Sequence, residues 1–325
     1  MRALLCSELG PASKLSIAEV DDPHPGPGEV VIGVEAAGLN FPDTLIIEGR
    51  YQTSPALPFS PGGEAAGEVV EIGEGVTGVV PGDRVIGMST HGAFAERWVV
   101  PATSVLPIPA GLDTAAAAGF ALTYGTSYHA FKQRAALRSG ETVLVLGAAG
   151  GVGSAAVELG KAMGARVIAA ASTPEKLLFC RSLGADEVID YRSEPLRDRV
   201  RDLTAGRGVD VVFDPVGGDL TETAFRSLAW NGRHLVIGFA TGEIPSLPAN
   251  LALLKGAALV GVFWGRSLGE EPAEAFGNFV ELAAMVGDGR IAPRVWREFR
   301  LDEYEEAFGV FARREVMGKA VFRLR

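Results

Sequence analysis

Apolar and polar positions alternate in two different textures along this chain. In residues 1–110, short apolar runs at Glu29–Val34, Gly67–Ile72, Arg84–Met88 and Ala93–Val100 are separated by turn signals such as Pro25-Gly26-Pro27-Gly28 and Pro81-Gly82-Asp83. Glycine supplies positive φ and proline a fixed negative one, so these clusters punctuate strands. The spacing predicts a small twisted barrel or antiparallel array rather than strand–helix–strand units. Near residue 113 the texture changes. Asp113 is placed to cap a helix through Ala115–Gly119, and a longer helical pattern runs from Thr123 to about Ala136.

From there strands and helices alternate. Thr142–Leu146 reads as a buried strand, apolar after its first residue. Gly151–Met163 reads as a helix, because Val152, Ala155, Ala156, Leu159 and Met163 fall on one face, and Gly164 closes it. Arg166–Ala171 is a second strand. Pro174 opens the next helix at a favoured first-turn position and Gly184 ends it. Glu187–Asp190, Val209–Asp214, His234–Gly238 and Ala257–Val262 read as further strands, residues 272–286 and 303–312 as helices, and Lys319–Leu324 as a last strand. Continuous apolar strands between helices predict a parallel sheet covered on both faces.

The length of 325 residues suits two joined domains. A net charge of −10 repels phosphate polymers and anionic membranes, which argues against nucleic acid as the main partner. No apolar run approaches the roughly 18 residues that a membrane span needs. The N-terminus carries no apolar segment of signal-peptide length. Two cysteines, Cys6 and Cys180, build neither a disulfide framework nor a Cys-x-x-Cys zinc site and suit a reduced cytoplasmic setting.

The strongest local signal is Gly147-Ala148-Ala149-Gly150-Gly151-Val152-Gly153, which follows one predicted strand and opens a helix. Small residues let backbone approach a pyrophosphate, and a helix N-terminus offers it free N–H groups and a partial positive charge. Ala148 breaks the bare glycine pattern, but the strand–turn–helix context is the required one. About 20 residues on, a site for a non-phosphorylated dinucleotide usually places a carboxylate against the ribose. Here the second strand runs into Ser172, with Lys176 one turn beyond. A hydroxyl and an ammonium suit a 2′-phosphate where a carboxylate repels it. Tyr191 and Arg192 follow the next strand and are placed to close the same pocket. NADPH is therefore the expected cofactor. Two alternatives stay open: Lys176 as a solvated helix charge, and Glu175 turned toward the ribose.

Five segments, taken in order, carry a wider resemblance: Gly38-Leu39-Asn40-Phe41-Pro42-Asp43-Thr44, Pro61–Gly67, Gly82-Asp83-Arg84-Val85, Gly147–Gly153 and Asp214-Pro215-Val216-Gly217-Gly218. On these residues the chain resembles the zinc-lacking medium-chain dehydrogenase/reductases, the zeta-crystallin-like quinone oxidoreductases, over essentially its whole length. The resemblance implies a GroES-like β-rich catalytic domain over 1–122 and 264–325 and a Rossmann doubly wound domain over 123–263. Zinc enzymes of the superfamily carry a ligand histidine where this chain has Gly63, and a glycine side chain holds no metal. His24, His91, His129 and His234 lie far apart and read as surface or packing histidines. No metal is expected, and Glu64 reads as a structural carboxylate paired with a nearby base.

Without a Lewis acid the expected substrate is a small-molecule quinone or electrophilic enone, which delocalises the incoming charge. The resemblance places Asn40, Asp43 and Tyr51 near the nicotinamide, with Asn40 as a donor to a developing oxyanion. Thr123, beside Tyr124, is expected on the nicotinamide side. Phe239-Ala240-Thr241 and Val262-Phe263-Trp264 follow strands and are expected against the cofactor, and Lys319 near its phosphates or, as the alternative, as a salt-bridging surface lysine. Leu45 replaces a tyrosine frequent in the family, which makes the pocket more apolar. An enoyl-thioester or alkenal reductase on the same scaffold is the first alternative. Arg50, Arg266 and Arg294 are its candidate basic residues. A non-enzymatic NADPH-binding, crystallin-like protein is the second, and a zinc alcohol dehydrogenase the third. The resemblance also implies a homodimer with Ala257–Val262 as an edge strand.

Overall fold

The computed structural model describes residues 1–325. The chain divides into two units, residues 1–122 with 293–325, and residues 123–292. The resemblance implied 1–122 with 264–325, and 123–263; here residues 264–292 group with the second unit.

The first unit is β-rich. It opens with β1 (Arg2–Leu5) and β2 (Ser16–Glu19), paired antiparallel. The central strand, β3 (Glu29–Leu39), runs into a short helix, α1 (Phe41–Ile47). Then follow β4 (Glu64–Ile72), β5 (Arg84–Met88), β6 (Arg97–Pro101), β7 (Val105–Pro107) and α2 (Thr114–Ala117). Strand β3 is buried almost throughout because it is paired on both edges: with β4 on one side, and on the other with β6 over its first half and a C-terminal strand over its second. Phe94, Phe299, Phe308 and Phe322 fill this core, with Phe94 and Phe322 edge-to-face at 4.8 Å between centroids.

The second unit starts with α3 (Ala121–His129), whose first two residues belong to the first unit. It contains β8 (Thr142–Val145), α4 (Gly151–Ala162), β9 (Arg166–Ala171), α5 (Pro174–Ser182), β10 (Glu187–Asp190), α6 (Leu196–Leu203), β11 (Val209–Asp214), α7 (Asp219–Arg226), β12 (Leu228–Val236), α8 (Asn250–Lys255), β13 (Ala258–Gly261), α9 (Trp264–Glu270) and α10 (Pro272–Gly287). Its six strands are all parallel in the order β10-β9-β8-β11-β12-β13. Strands β8 and β11 are therefore neighbours in space but not in sequence. A sheet that reverses direction there opens a crevice at its carboxyl edge, where ligands of such folds bind. Strand β12 begins six residues earlier than the sequence pattern suggests, because Asn231-Gly232-Arg233 masks its apolar continuity.

Residues 264–292 stay with the second unit because their side chains are committed to it. Tyr128 Oη donates to Glu281 Oε2, Lys132 Nζ lies 2.7 Å from the same oxygen, and Gln133 and Asn278 exchange amide hydrogen bonds at 2.9 and 3.2 Å. Trp264 lies over Gly125, where a β-carbon would come within 2.5 Å of the indole. The chain then returns to the first unit through β14 (Val295–Arg300), α11 (Tyr304–Ala312) and β15 (Lys319–Arg323). Strand β14, with Arg297, Glu298 and Arg300 exposed, shows too little apolar alternation to be read from sequence. It pairs parallel with β15, which pairs antiparallel with β3. No helix is long and apolar enough to cross a membrane.

Candidate functional site

In the second unit, β8 delivers the glycine turn to the carboxyl edge of the sheet. Gly147 takes φ +56°, and Gly150 N–H returns to its carbonyl at 2.9 Å. A β-carbon on Gly153 would lie 2.3 Å from Gly147 O and 2.9 Å from Ala148 Cα, so α4 approaches the turn as closely as backbone permits. Ala149 is buried, whereas Gly150, Gly151 and Val152 remain partly open. No side chain caps the N-terminus of α4. A 12-residue helix thus points an uncapped positive end out of a cradle that any larger side chain would fill.

One strand over, β9 ends at Ala171 and Ser172 follows, half-buried. Thr173 caps α5 by accepting from Lys176 N–H at 3.4 Å. Glu175 turns toward the start of α5. Hydrogen bonds from its own backbone N–H and from Thr173 hold its carboxyl below the usual range, so it folds back onto the helix start. Tyr191 N–H donates to Ala171 O at 3.2 Å, which brings the ends of β9 and β10 together. Ser172, Lys176 and Tyr191 therefore share one corner of the edge. Burial pushes the Cys180 thiol on α5 up to about 12, which leaves it protonated and inert.

On the other side of the switch point, β11 ends in Asp214, and the turn Pro215–Gly218 follows. Val216 packs on the glycine turn: a β-carbon on Gly147 would lie 2.9 Å from its Cγ2. The Phe239–Thr241 segment is stitched to this turn. Ala240 N–H donates to Pro215 O, and both Thr241 N–H and Thr241 Oγ1 donate to Val216 O, each at 3.0 Å. Ala149–Val152, Val216, Ala240 and Thr241 are thus brought to one edge by hydrogen-bonded backbone. Phe239 stands beside Gly217. Val262 continues the β12–β13 pairing through its N–H to Val236 O at 3.0 Å. Phe263 is exposed, while Trp264 packs on Gly125 and edge-to-face on Phe279. Thr123 is buried at the start of α3.

In the first unit, strand register builds a compact charged cluster. Gly38 pairs with Glu64 across β3 and β4, and Ala320 pairs with Leu39 across β15 and β3. Asn40, Glu64 and Lys319 therefore converge. A β-carbon on Gly38 would lie 2.8 Å from Glu64 Oε1 and 2.9 Å from Lys319 Cε, so only glycine leaves room. Lys319 Nζ lies 2.5 Å from Glu64 Oε1 and donates to Asn40 Oδ1. Asn40 Nδ2 donates to Glu64 Oε1 at 3.0 Å and to Gly38 O at 3.2 Å. Glu64 Oε2 accepts from Leu122 N–H at 2.9 Å. The structural, base-paired Glu64 read from sequence is present, and its base is Lys319.

Lys319, left open between the cofactor's phosphates and a surface salt bridge, is buried in the first unit with its ammonium paired to Glu64 and bonded to Asn40. Asn40, expected to donate to an oxyanion, has both amide hydrogens engaged. Asp43 completes the cluster, accepting from Asn40 N–H at 2.7 Å. Burial, opposed by hydrogen bonds from Asn40 and Gly62 and by the Lys319 charge, pushes its carboxyl up to about 7. Asp43 therefore exchanges its proton near neutral pH rather than in the ordinary carboxylate range. Tyr51 is half-buried, and burial followed by the nearby Asp43 carboxylate raises its phenol, which stays protonated.

The position of a zinc ligand in related enzymes is Gly63, whose backbone lies against Ser89 O. No three His, Cys, Asp or Glu side chains come together as a ligand set.

The family model of the alcohol dehydrogenase GroES-like domain matches residues 26–110, and that of the zinc-binding dehydrogenase matches residues 151–284. A quinone oxidoreductase-like protein 2 homolog of Nematostella vectensis is 40% identical, over 98% of this chain and 88% of its own. The chain belongs to the quinone oxidoreductase-like medium-chain dehydrogenase/reductases. It is an oxidoreductase with a GroES-like and a Rossmann domain. Among solved structures of this fold, it matches the Escherichia coli quinone oxidoreductase complexed with NADPH with a TM-score of 0.93, at 28% identity over 100% of both chains. It also matches the CurK enoyl reductase with a TM-score of 0.90, at 27% identity over 100% of this chain and 99% of that one.

Sequence reasoning missed one grouping in this oxidoreductase: Asp214, Thr221 and His234 are all buried, with Thr221 and His234 each hydrogen-bonded to Asp214 Oδ2. The only available signal was Asp214 at the carboxyl end of a predicted strand.

Proposed function

We propose that this oxidoreductase reduces quinones or related electrophilic enones with NADPH, without zinc. The observation that carries the cofactor is the uncapped α4 N-terminus over the Gly147–Gly153 cradle, with a hydroxyl and an ammonium rather than a carboxylate after β9. Backbone amides of Ala149–Val152 hold the pyrophosphate. Ser172, Lys176 and Tyr191 take the 2′-phosphate, Val216 and Phe239–Thr241 line the cofactor, and Thr123 with Val262–Trp264 face the nicotinamide end. NADPH, when bound, supplies the hydride.

The acceptor class follows from side-chain chemistry. Gly63 offers no ligand atom, and no other ligand set gathers. A substrate that spreads charge onto its own oxygen then fits best. Tyr51 and Asp43 hold the protons for that oxygen, since the Asn40 amide hydrogens are already engaged. The likeness to an enoyl reductase supports a second reading, reduction of an enoyl thioester on the same scaffold.

The assembly we infer is a homodimer through the β13 edge. Leu259 on that edge is 52% exposed, and Trp230 on β12 and Leu253 and Leu254 on α8, the helix before β13, are exposed as well. Isolated apolar side chains on a surface are ordinary, but an exposed leucine on an unpaired strand edge suits a partner strand.

Rapid mixing of the NADPH-loaded protein with ortho- and para-quinones, enals and enoyl-CoA esters tests the reading in a single turnover. Quinones or enals should oxidise the cofactor fastest. Oxidation by the thioesters alone overturns the quinone reading in favour of the second.

A further inference from the structure

At the switch point, Asp214 Oδ1 accepts from Val216 N–H at 2.9 Å and Gly217 N–H at 3.0 Å. These two bonds shape the turn, in which Gly217 and Gly218 take φ +72° and +62°. Its other oxygen, Oδ2, accepts from Thr221 Oγ1 at 2.7 Å and is 3.0 Å from His234 Nε2. Burial pushes the Asp214 carboxyl up, but the bonds from His234, Gly217 and Thr221 outweigh it and hold it below the usual range. It is therefore a carboxylate, and Nε2 carries the proton that it accepts.

His234 is fully buried on β12, stacked on Phe225 of α7 at 5.8 Å and 29°. Its Nδ1 has no partner. A proton on Nδ1 alone would be an unsatisfied buried donor, whereas Nε2 faces the Asp214 carboxylate, so the donor belongs on Nε2. A packing residue has no need of an imidazole with one orphaned nitrogen. The donor at Nε2 is the part that the surroundings use.

We propose that His234 is a positioning residue for the dinucleotide, acting through Asp214 on the Val216–Gly217 turn. The inference rests on the NADPH reading above. The turn touches the glycine cradle through Val216 and carries the Ala240–Thr241 segment on its carbonyls. One side chain thus fixes three neighbouring loops without reaching any of them. Losing its donor leaves Oδ2 with Thr221 alone and frees the carboxylate to rotate off the two amides. The cost falls on a preformed edge, and so on cofactor affinity.

The test compares NADPH dissociation constants of the full chain, by fluorescence, for the wild type, His234→Phe and His234→Gln. Phenylalanine keeps the stacking and loses the donor; glutamine restores a donor at a similar reach. H234F should weaken binding about tenfold, the worth of a hydrogen bond to a charged group, and raise KM for NADPH at unchanged kcat. H234Q should return to within about twofold, a rescue that packing alone does not explain. Wild-type affinity in H234F, or an equal loss in both variants, overturns the proposal. Should H234F not fold, 15N-histidine spectra of the wild type decide. The His234 Nε2–H resonance should shift as NADPH is added, and an unmoved resonance overturns the proposal. A wild type that binds no NADPH overturns the cofactor reading and this inference together. A wild type that binds, with variants indifferent, overturns the inference alone.

Discussion

Lys319 Nζ lies 2.5 Å from Glu64 Oε1, and both side chains are buried between β15, β3 and β4. An ion pair out of water is held by mutual compensation, so removing one partner strands the other. K319M should therefore cost about 3–5 kcal/mol in urea unfolding, and K319M with E64Q should recover much of that loss. A single substitution costing under about 1 kcal/mol would show the pair to be dispensable.

Asp43 makes stability depend on pH in an unusual direction. Its folded carboxyl sits at about 7, above the ordinary value of 3.8, so the folded chain holds a proton that the unfolded chain has released. The stabilisation is complete below about pH 4 and is lost as pH rises through 7. The size is on the order of a few kcal/mol. Asp43→Asn should flatten this slope, and its stability relative to the wild type should improve from pH 5 to pH 8. Parallel pH profiles for the two proteins would contradict the assignment.

Gly153→Ala should fail where Gly277→Ala succeeds. The first places a carbon 2.3 Å from Gly147 O; the second meets nothing within 4 Å in the middle of α10. Overpacking should cost G153A about 1–3 kcal/mol and its NADPH affinity, whereas G277A should gain about 0.5–1 kcal/mol of helix stability. Thermal melting and cofactor titration of both proteins read the contrast.

Lys176→Ala should raise the NADPH dissociation constant about tenfold or more, with little change for NADH, because a charged hydrogen bond is worth about 1.5–3 kcal/mol. Equal losses for the two nucleotides would remove the 2′-phosphate from its vicinity.

Leu259→Lys on the β13 edge should lower the mass in solution to that of one chain, since edge lysines oppose strand pairing. Sedimentation is the direct measurement, and an unchanged mass would move the interface elsewhere.

Legibility in the sequence followed the range of the interactions. The glycine turn was readable because its constraint is local: strand, cradle and helix lie within a dozen residues. The carboxyl edge of the sheet was readable for the same reason, from Asp214–Gly218 and Phe239–Thr241. Lys319 stayed open between a phosphate contact and a salt bridge because its partner Glu64 lies 255 residues away and only the register of β15 on β3 brings them together. His234 looked like packing because its link to Asp214 passes between adjacent parallel strands, whose register the sequence does not display. The return at 293 was hidden because Tyr128, Lys132 and Gln133 hold α10 by side chains alone.

The discontinuity of the first unit sets an order on how the chain is made. The inserted unit, Thr123–Ala292, is synthesised before residues 293–325, and its parallel sheet takes no strand from them. The β3 edge near Leu39 waits for residues 320–323, which follow only after the whole inserted unit. Until then Glu64 has no counter-ion, and the phenylalanine core lacks Phe299, Phe308 and Phe322. The nascent protein therefore carries an open β edge while the inserted unit is made, and β15 shuts it.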